Sequence, residues 1–565
     1  MNNTSRFLCA AFALLLPISA VSAQQGVRPT GSGGVLIYEQ AAYDVKKYDI
    51  TATIEPENKR LSGSTIITAK IVSPVDWFVV DLDMPYTVKT VIASFKGRDN
   101  NRLAHERRGG KIWIKLPMTV QPGKTVRVQV DYEGNPRVAP NPPWVGGFMW
   151  EKTPGGEDWV VNACQNDGAD CWFPVKDHPS DKAETVALSI TVPGTLYVAS
   201  VGKLQEVISN LNGTLTYRWL MSNPISNYNI VINVAPYRLI EREYTSLTGE
   251  KFPIIFYAIP ESVEKASKII DQTEKFLAFF EKYLGPYPFR AEKLGIAETP
   301  HLGMEHSTII AYGNRFQDNQ YGFDWLMLHE LGHEWWANLV TASDWRDMWI
   351  HEGFQSFMDS LYIEEIAGKE AYLSSMRGRM RNTNNIQPVA PREPRITYEI
   401  YYRPPDYTRS DGDIYGKGAV VLHTLRYLIG DEAFFRALRR MAYPTKEMES
   451  FTDGRQVRFV TTDDFLYIAE QESGMDLDWF FEVYLRQPEV PELVEERGPS
   501  TLKLSWKTPE GLRFSMPVPV TIAGKTTKVS TEGGSGSITI PADASVEVDP
   551  EGWVFRKSLT RAGSL

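Results

Sequence analysis

The sequence predicts a multidomain α+β protein: an N-terminal antiparallel β-sheet domain, a mainly helical middle domain and a small C-terminal β-sandwich. Three observations support this. Alternating β-rich runs fill residues 36–240, helical spacing dominates from about 260 to 490, and alternation returns after Pro491. A chain of 565 residues is long enough for two to four cores.

The first element is a targeting segment. Arg6 gives a positive start, Phe7 to Ile18 is a short apolar run, and Ala20-Val21-Ser22-Ala23 is a small-residue cleavage site. The run is too short to span a bilayer comfortably, so residues 1–23 are expected to be removed from an exported protein, periplasmic or secreted. No later stretch approaches a transmembrane helix. A formal net charge of −10 argues against a nucleic-acid partner. Cys9 would leave with the signal. Cys164 and Cys171 either pair as a disulfide or stay as two thiols beside one loop.

The N-terminal domain, residues 24–240, rests on runs such as Tyr48–Ile54 and Ser64–Ile71, with turns at Pro56-Glu57-Asn58, Pro122-Gly123 and Asn212-Gly213. The middle domain, 241–492, opens with a helical pattern. Val263, Ile269, Ile270, Phe276, Leu277, Phe280 and Leu284 recur at helical spacing, stopped by Gly285-Pro286. Further helices are expected over 325–339, 354–366, 418–428 and 432–441. The last domain, 493–565, has strand-like Leu502–Trp506 and Val518–Ile522, with Pro519 suggesting an edge strand.

His329-Glu330-Leu331-Gly332-His333 lies within the second of these helices. Residues i and i+4 share a helix face, so both imidazoles can reach one zinc ion, and the glutamate between them can act as base on a water. A catalytic zinc needs a third protein ligand. Glu352, nineteen residues after His333, supplies it if the chain turns near 341–344 and returns as a helix. Five of the eight histidines fall between 301 and 351. His351 neighbours Glu352 and should point away from the metal, and His423 sits in an apolar helical pattern that suits the core.

These residues resemble the aminopeptidase N family of zinc exopeptidases, which includes the leukotriene epoxide hydrolase branch. That family pairs H-E-x-x-H with a glutamate after eighteen intervening residues, in a W-L-N-E-G block that here reads Trp349-Ile350-His351-Glu352-Gly353. The likeness extends over about 45–492, through Trp172-Phe173-Pro174, Leu284–Phe289 and Glu334–Val340. It implies a saddle-like N-terminal sheet, a thermolysin-like catalytic domain, one zinc ion, and peptide substrates with a free N-terminus. The G-x-M-E-N signature corresponds to Leu302-Gly303-Met304-Glu305-His306, with Leu302 and His306 replacing the usual Gly and Asn. By the resemblance Gly303, Met304 and Glu305 bind substrate, Glu305 and Gln165 hold the α-amine, and Tyr415, in Tyr415-Gly416-Lys417-Gly418-Ala419, stabilises the oxyanion. Glu330 is the expected base. Long members carry a large C-terminal helical domain, which this sequence is expected to lack. Rival readings are a zinc endopeptidase or epoxide hydrolase on the same scaffold, and a non-catalytic peptide-binding protein.

Overall fold

The computed structural model describes residues 31–95 and 98–557. The expected signal segment lies outside them.

Eight strands form the main N-terminal sheet, in the order 203–209, 214–221, 185–193, 43–55, 60–71, 125–134, 86–95, 98–102. Strand Thr185–Pro193 shows why the run pairs: every second residue is buried, so one face packs on the core and the other is partly wet. The antiparallel expectation needs one correction. Tyr43–Glu55 pairs with Thr185–Pro193 in parallel, with Lys47 opposite Thr185. Parallel neighbours need a long crossover, and the intervening strands supply it. A second sheet of 197–200, 232–235, 158–163 and 147–152 delivers the Cys164–Cys171 loop from the end of Asp158–Ala163.

A new five-stranded sheet begins at Arg238, in the order 238–245, 251–258, 294–298, 309–312, 303–304. Gly303–Met304 is one of its two edge strands. Helices follow. Val263–Leu284 buries Ile269, Ile270, Phe276, Leu277 and Phe280 and stops at Gly285, whose φ of 102° closes the last turn. Phe280 stacks on Trp335 at 5.3 Å.

The helix expected over 325–339 is shorter. It spans Trp325–Gly332, with Asp324 capping the Met327 amide and His333 at the C-cap. Beyond it Asn338, Leu339 and Val340 donate to the carbonyls of His333, Glu334 and Trp335, each five residues back. Such wide turns gather at functional sites. Here the widening lets Trp335 and Trp336 both be buried while the Glu334 carboxylate accepts from the Thr308 amide at 2.7 Å. The chain then turns through Val340–Ala342 and an Asp344-capped turn into helix Trp349–Ala367, with Glu352 in its first turn.

After helix Asp478–Leu485, two three-stranded sheets close over Leu502, Leu504, Val518, Val520 and Val529. Val518–Ile522 is the centre strand of its sheet, not an edge. Pro519 is tolerated because its carbonyl accepts from Asp549, and Asp549, at φ 51°, turns the neighbouring strand away where a proline N–H would be needed. Among the described residues no helix is long and apolar enough to cross a membrane.

Candidate active site

Two helices bring the predicted ligands together. His329 and His333 lie on one side of the 325–332 helix and its C-cap, with their Nε2 atoms 3.2 Å apart. Glu352, from the next helix, places Oε2 3.5 Å from His329 Nε2 and 3.4 Å from His333 Nε2. The far nitrogen of each ring is already engaged, His329 Nδ1 with Asp359 at 2.9 Å and His333 Nδ1 with the Trp336 carbonyl at 2.9 Å. Both acceptors fix the proton on Nδ1, so two Nε2 lone pairs and a carboxylate oxygen converge on one point. Glu352 Oε2 is buried with no hydrogen-bond partner. Donor atoms on a tetrahedral zinc with legs of about 2.0–2.2 Å are spaced by roughly 3.3–3.5 Å, so the three residues fit that ion. Burial alone would raise Glu352, but the two imidazoles hold it well below the usual carboxylate range.

Around this cluster lies a cavity of about 300 Å³, lined by Trp144, Gln165, Gly303, Met304, Glu305, Trp325, Leu326, Glu330 and Tyr415 among others. Glu330 reaches it from the helix between the histidines. Its Oε2 has no partner, and burial pushes the carboxyl up to about 8 against the pull of His329 and His333. Gly303 is a glycine for a steric reason: a Cβ there would stand 2.7 Å from Glu330 Oε1 and from Leu326 Cδ1. Tyr415 sits at the start of helix Gly416–Ile429, its ring 6.3 Å from that of His329, and burial holds its phenol well above 10.

Glu305 is buried and accepts from the Gln165 amide and from the Tyr228 hydroxyl at 3.1 Å. The Gln165 oxygen lies 3.2 Å from the Tyr401 hydroxyl, which also lies 3.0 Å from Glu352 Oε1. One phenol proton cannot serve both. The shorter contact to the carboxylate wins, leaving the Gln165 oxygen able to accept from a ligand.

All nine residues singled out in the sequence therefore meet at one place. Sequence reasoning missed Tyr228, Tyr401 and Asp359. Asp359 had a signal, since it follows Glu352 by two helical turns on the same face. The two tyrosines had none. His351 points away and accepts from the Ala342 amide at 2.9 Å, while His423 is packed between Tyr372 and Trp553.

Comparison with known proteins agrees with this arrangement. The "Peptidase M1 N-terminal domain" matches residues 45–229, and the "Peptidase family M1 domain" matches 269–484, which contains the whole metal cluster. The chain belongs to peptidase family M1. Among curated relatives, Leucine aminopeptidase 2 of Vanderwaltozyma polyspora is 27% identical, over 62% of this chain and 51% of the relative. Glutamyl aminopeptidase of Homo sapiens is 26% identical, over 62% and 36%. The chain thus spans about half of the first of these relatives and about a third of the second. Among solved structures, the M1 zinc metallopeptidase from Deinococcus radiodurans superposes with a TM-score of 0.62 at 24% identity, over 81% of this chain and 96% of that one. A two-domain M1 zinc metallopeptidase bound to L-arginine gives 0.60 at 25% identity, over 79% and 94%. These likenesses carry the two-domain M1 fold, a β-rich N-terminal domain followed by a helical catalytic domain.

Proposed function

We propose that the chain is a zinc aminopeptidase that removes the first residue of peptides. The observation that carries this reading is Glu305: a buried carboxylate opening on the same small cavity as the three-ligand cluster. An ammonium group leaving water needs such a partner, and an endopeptidase has no use for one.

One zinc ion held by His329, His333 and Glu352 would supply a Lewis acid that acidifies water and polarises a carbonyl. The chain's own groups do the rest. Glu305 and the Gln165 oxygen hold the α-amine, with Tyr228 steadying Glu305. Glu330, whose Oε2 has no hydrogen-bond partner in the protein, accepts the proton of the attacking water and passes it to the leaving amine. Tyr415, un-ionised, donates its hydroxyl proton to the oxyanion. Fixing the amine leaves only the first peptide bond over the cluster.

Hydrolysis of a panel of aminoacyl chromogenic substrates, with and without chelator, tests the reading. Cleavage that stops on chelation, returns with zinc and fails on N-acetylated peptides is expected. Equal cleavage of acetylated peptides would overturn it. We also propose export with loss of residues 1–23, supported by the charge and apolar pattern there. N-terminal sequencing of protein recovered outside the cytoplasm, expected to begin at Gln24, checks it.

A further inference from the structure

A second cavity, of about 770 Å³, adjoins the catalytic one, and Leu302 lines both. The order of residues along the edge strand gives its place in the reaction. On the aminopeptidase reading the substrate amine sits at Glu305. The bond to be cut lies by Glu330, which crowds Gly303. A substrate running from Glu305 past Gly303 therefore continues toward Leu302 and His301. His301 lines the second cavity. The outer edge of Gly303–Met304 is unpaired among the described residues, so an extended peptide can lie along it in antiparallel sense. The part of the substrate beyond the cut is thus delivered into this cavity.

The lining indicates what that part carries. Trp159, Ile259, Pro300 and Phe316 give apolar walls. Lys265 and Arg315 stand at the rim, and among the described residues neither has an ion-pair partner; the Lys265 ammonium lies 5.8 Å from the Phe316 ring centre. Of the two carboxylates present, Glu298 is already engaged by the Ser262 hydroxyl at 2.7 Å and the Ile259 amide at 3.0 Å, and Glu261 is exposed. His301 is buried and its ring nitrogens make no well-formed hydrogen bond, although the Gly303 backbone is near. Arg315 and Phe316 are held at φ 56° and 62°, two successive non-glycine residues in the left-handed region. Such strain persists where surrounding structure imposes it, and here the Phe316 amide is tied to the Tyr312 hydroxyl at 2.9 Å.

We propose that this cavity binds the leaving portion of the substrate and that Lys265 and Arg315 recognise a carboxylate on it, so that the preferred substrates are short oligopeptides whose free C-terminus reaches the rim. An acidic side chain in the leaving portion offers the same chemistry. The proposal rests on the aminopeptidase reading for the direction of the substrate.

The test compares leucyl oligopeptides of increasing length, as free acids and as C-terminal amides, on the wild type and on the Lys265→Gln/Arg315→Gln double variant. Leucyl p-nitroanilide, whose leaving portion carries no carboxylate, is the control. Two solvent-exposed ion pairs are worth about five- to tenfold together. The double variant is expected to lose that factor on the free acid, chiefly in KM, and nothing on the amide or the anilide. The wild type should show the same factor between acid and amide. Recovery on an amidated peptide carrying Asp or Glu would name the side chain as the source; no recovery would name the terminus. Equal rates for acid and amide with no gain from an Asp or Glu in the leaving portion, or a variant that slows acid and amide alike, would overturn the proposal. Calorimetric binding of the same acid and amide to the protein carrying Glu330→Gln gives a second readout. If no anilide of the aminoacyl panel is hydrolysed, the aminopeptidase reading has failed, and a binding difference between acid and amide that vanishes in the Lys265→Gln/Arg315→Gln background still decides the carboxylate site.

Discussion

Glu305→Gln isolates the charge of the proposed amine anchor. The glutamine keeps an oxygen that can accept from Tyr228, so shape and one hydrogen bond survive while the negative charge goes. Glu305 is about 3% exposed, so its pairing with an ammonium is almost fully desolvated. Removing one partner of a buried, hydrogen-bonded charge pair costs about 2–5 kcal/mol, and the surviving acceptor places this change at the lower end, about 2–3 kcal/mol. At about 1.4 kcal/mol per factor of ten, kcat/KM should fall by roughly 30- to 150-fold. The fold should not suffer. Burial holds the Glu305 carboxyl above its ordinary range, so its ionised form costs the folded state stability and an amide removes that cost. The assay is kcat/KM on leucyl anilide and on its N-acetylated form, with thermal denaturation alongside. A variant within about threefold of wild type would refute the anchoring role. So would a large loss of melting temperature matching the loss of activity, which would make Glu305 structural.

Glu330→Gln should cut kcat by about 10²- to 10⁴-fold with zinc content unchanged by metal analysis, since Glu330 is the proton carrier and not a ligand. Tyr415→Phe should lose about 10²- to 10³-fold in kcat with KM nearly constant, as expected of a donor used in the transition state; an effect confined to KM would contradict it. Burial and their neighbouring carboxylates raise Asp170, and push Asp177 up to about 7. The unfolded chain therefore loses these protons first, and stability is lost as pH climbs from about 4 past 7. Asp170→Asn should raise the melting temperature at about pH 8 and change it little at about pH 5, and equal shifts at both would refute this sign. The thiols of Cys164 and Cys171, buried with sulfurs 3.0 Å apart, should close to a disulfide on refolding with a glutathione redox pair, adding up to about 2 kcal/mol for so short a loop. An unchanged count of alkylatable thiols would refute it.

The metal cluster could be read from the sequence because local rules fix it. Helical periodicity aligns His329 with His333, and the short strand and capped turn at 340–347 leave little freedom in where Glu352 arrives. What resisted reading depends on partners far along the chain. Alternation reveals a half-buried strand but not the direction of its neighbour, which is why the parallel ladder of 43–55 with 185–193 was not foreseen. Pro519 misled for a related reason: the rule bars a proline from donating to a ladder, and the αL turn at Asp549 removes the demand. Tyr228 and Tyr401 reach the site through side chains whose sequence surroundings differ little from those of the other tyrosines among the chain's 26. Apolar periodicity also overran the end of the zinc-motif helix, because Trp335, Trp336 and Leu339 are as buried in wide turns as they would be in a continued helix.

That wide turn joins the chemistry to the choice of bond. Its residue Asn338 donates from its amide to the Glu305 carbonyl at 3.0 Å, accepts from Asn229 at 2.6 Å through its side-chain oxygen, and accepts from Lys182 at 2.7 Å through its backbone. One residue at the end of the metal helix thus ties the anchor strand to two points of the N-terminal domain. The Gln165 loop is tied in the opposite direction. Thr397 donates to the Asn166 carbonyl at 2.6 Å and Tyr398 to Asp167 at 3.0 Å, so residues of the helical domain hold the loop that the β domain presents. Each of these bonds contributes about 1 kcal/mol net, and losing one partner strands the other in a dry junction at about 1–3 kcal/mol. Their weight lies in geometry. A shift of about 1 Å between amine anchor and metal would move the wrong bond into place and can cost a hundredfold in rate. The proposed hydrolysis draws its groups from the helical domain; the proposed preference for the first bond requires the two domains to be locked at this junction.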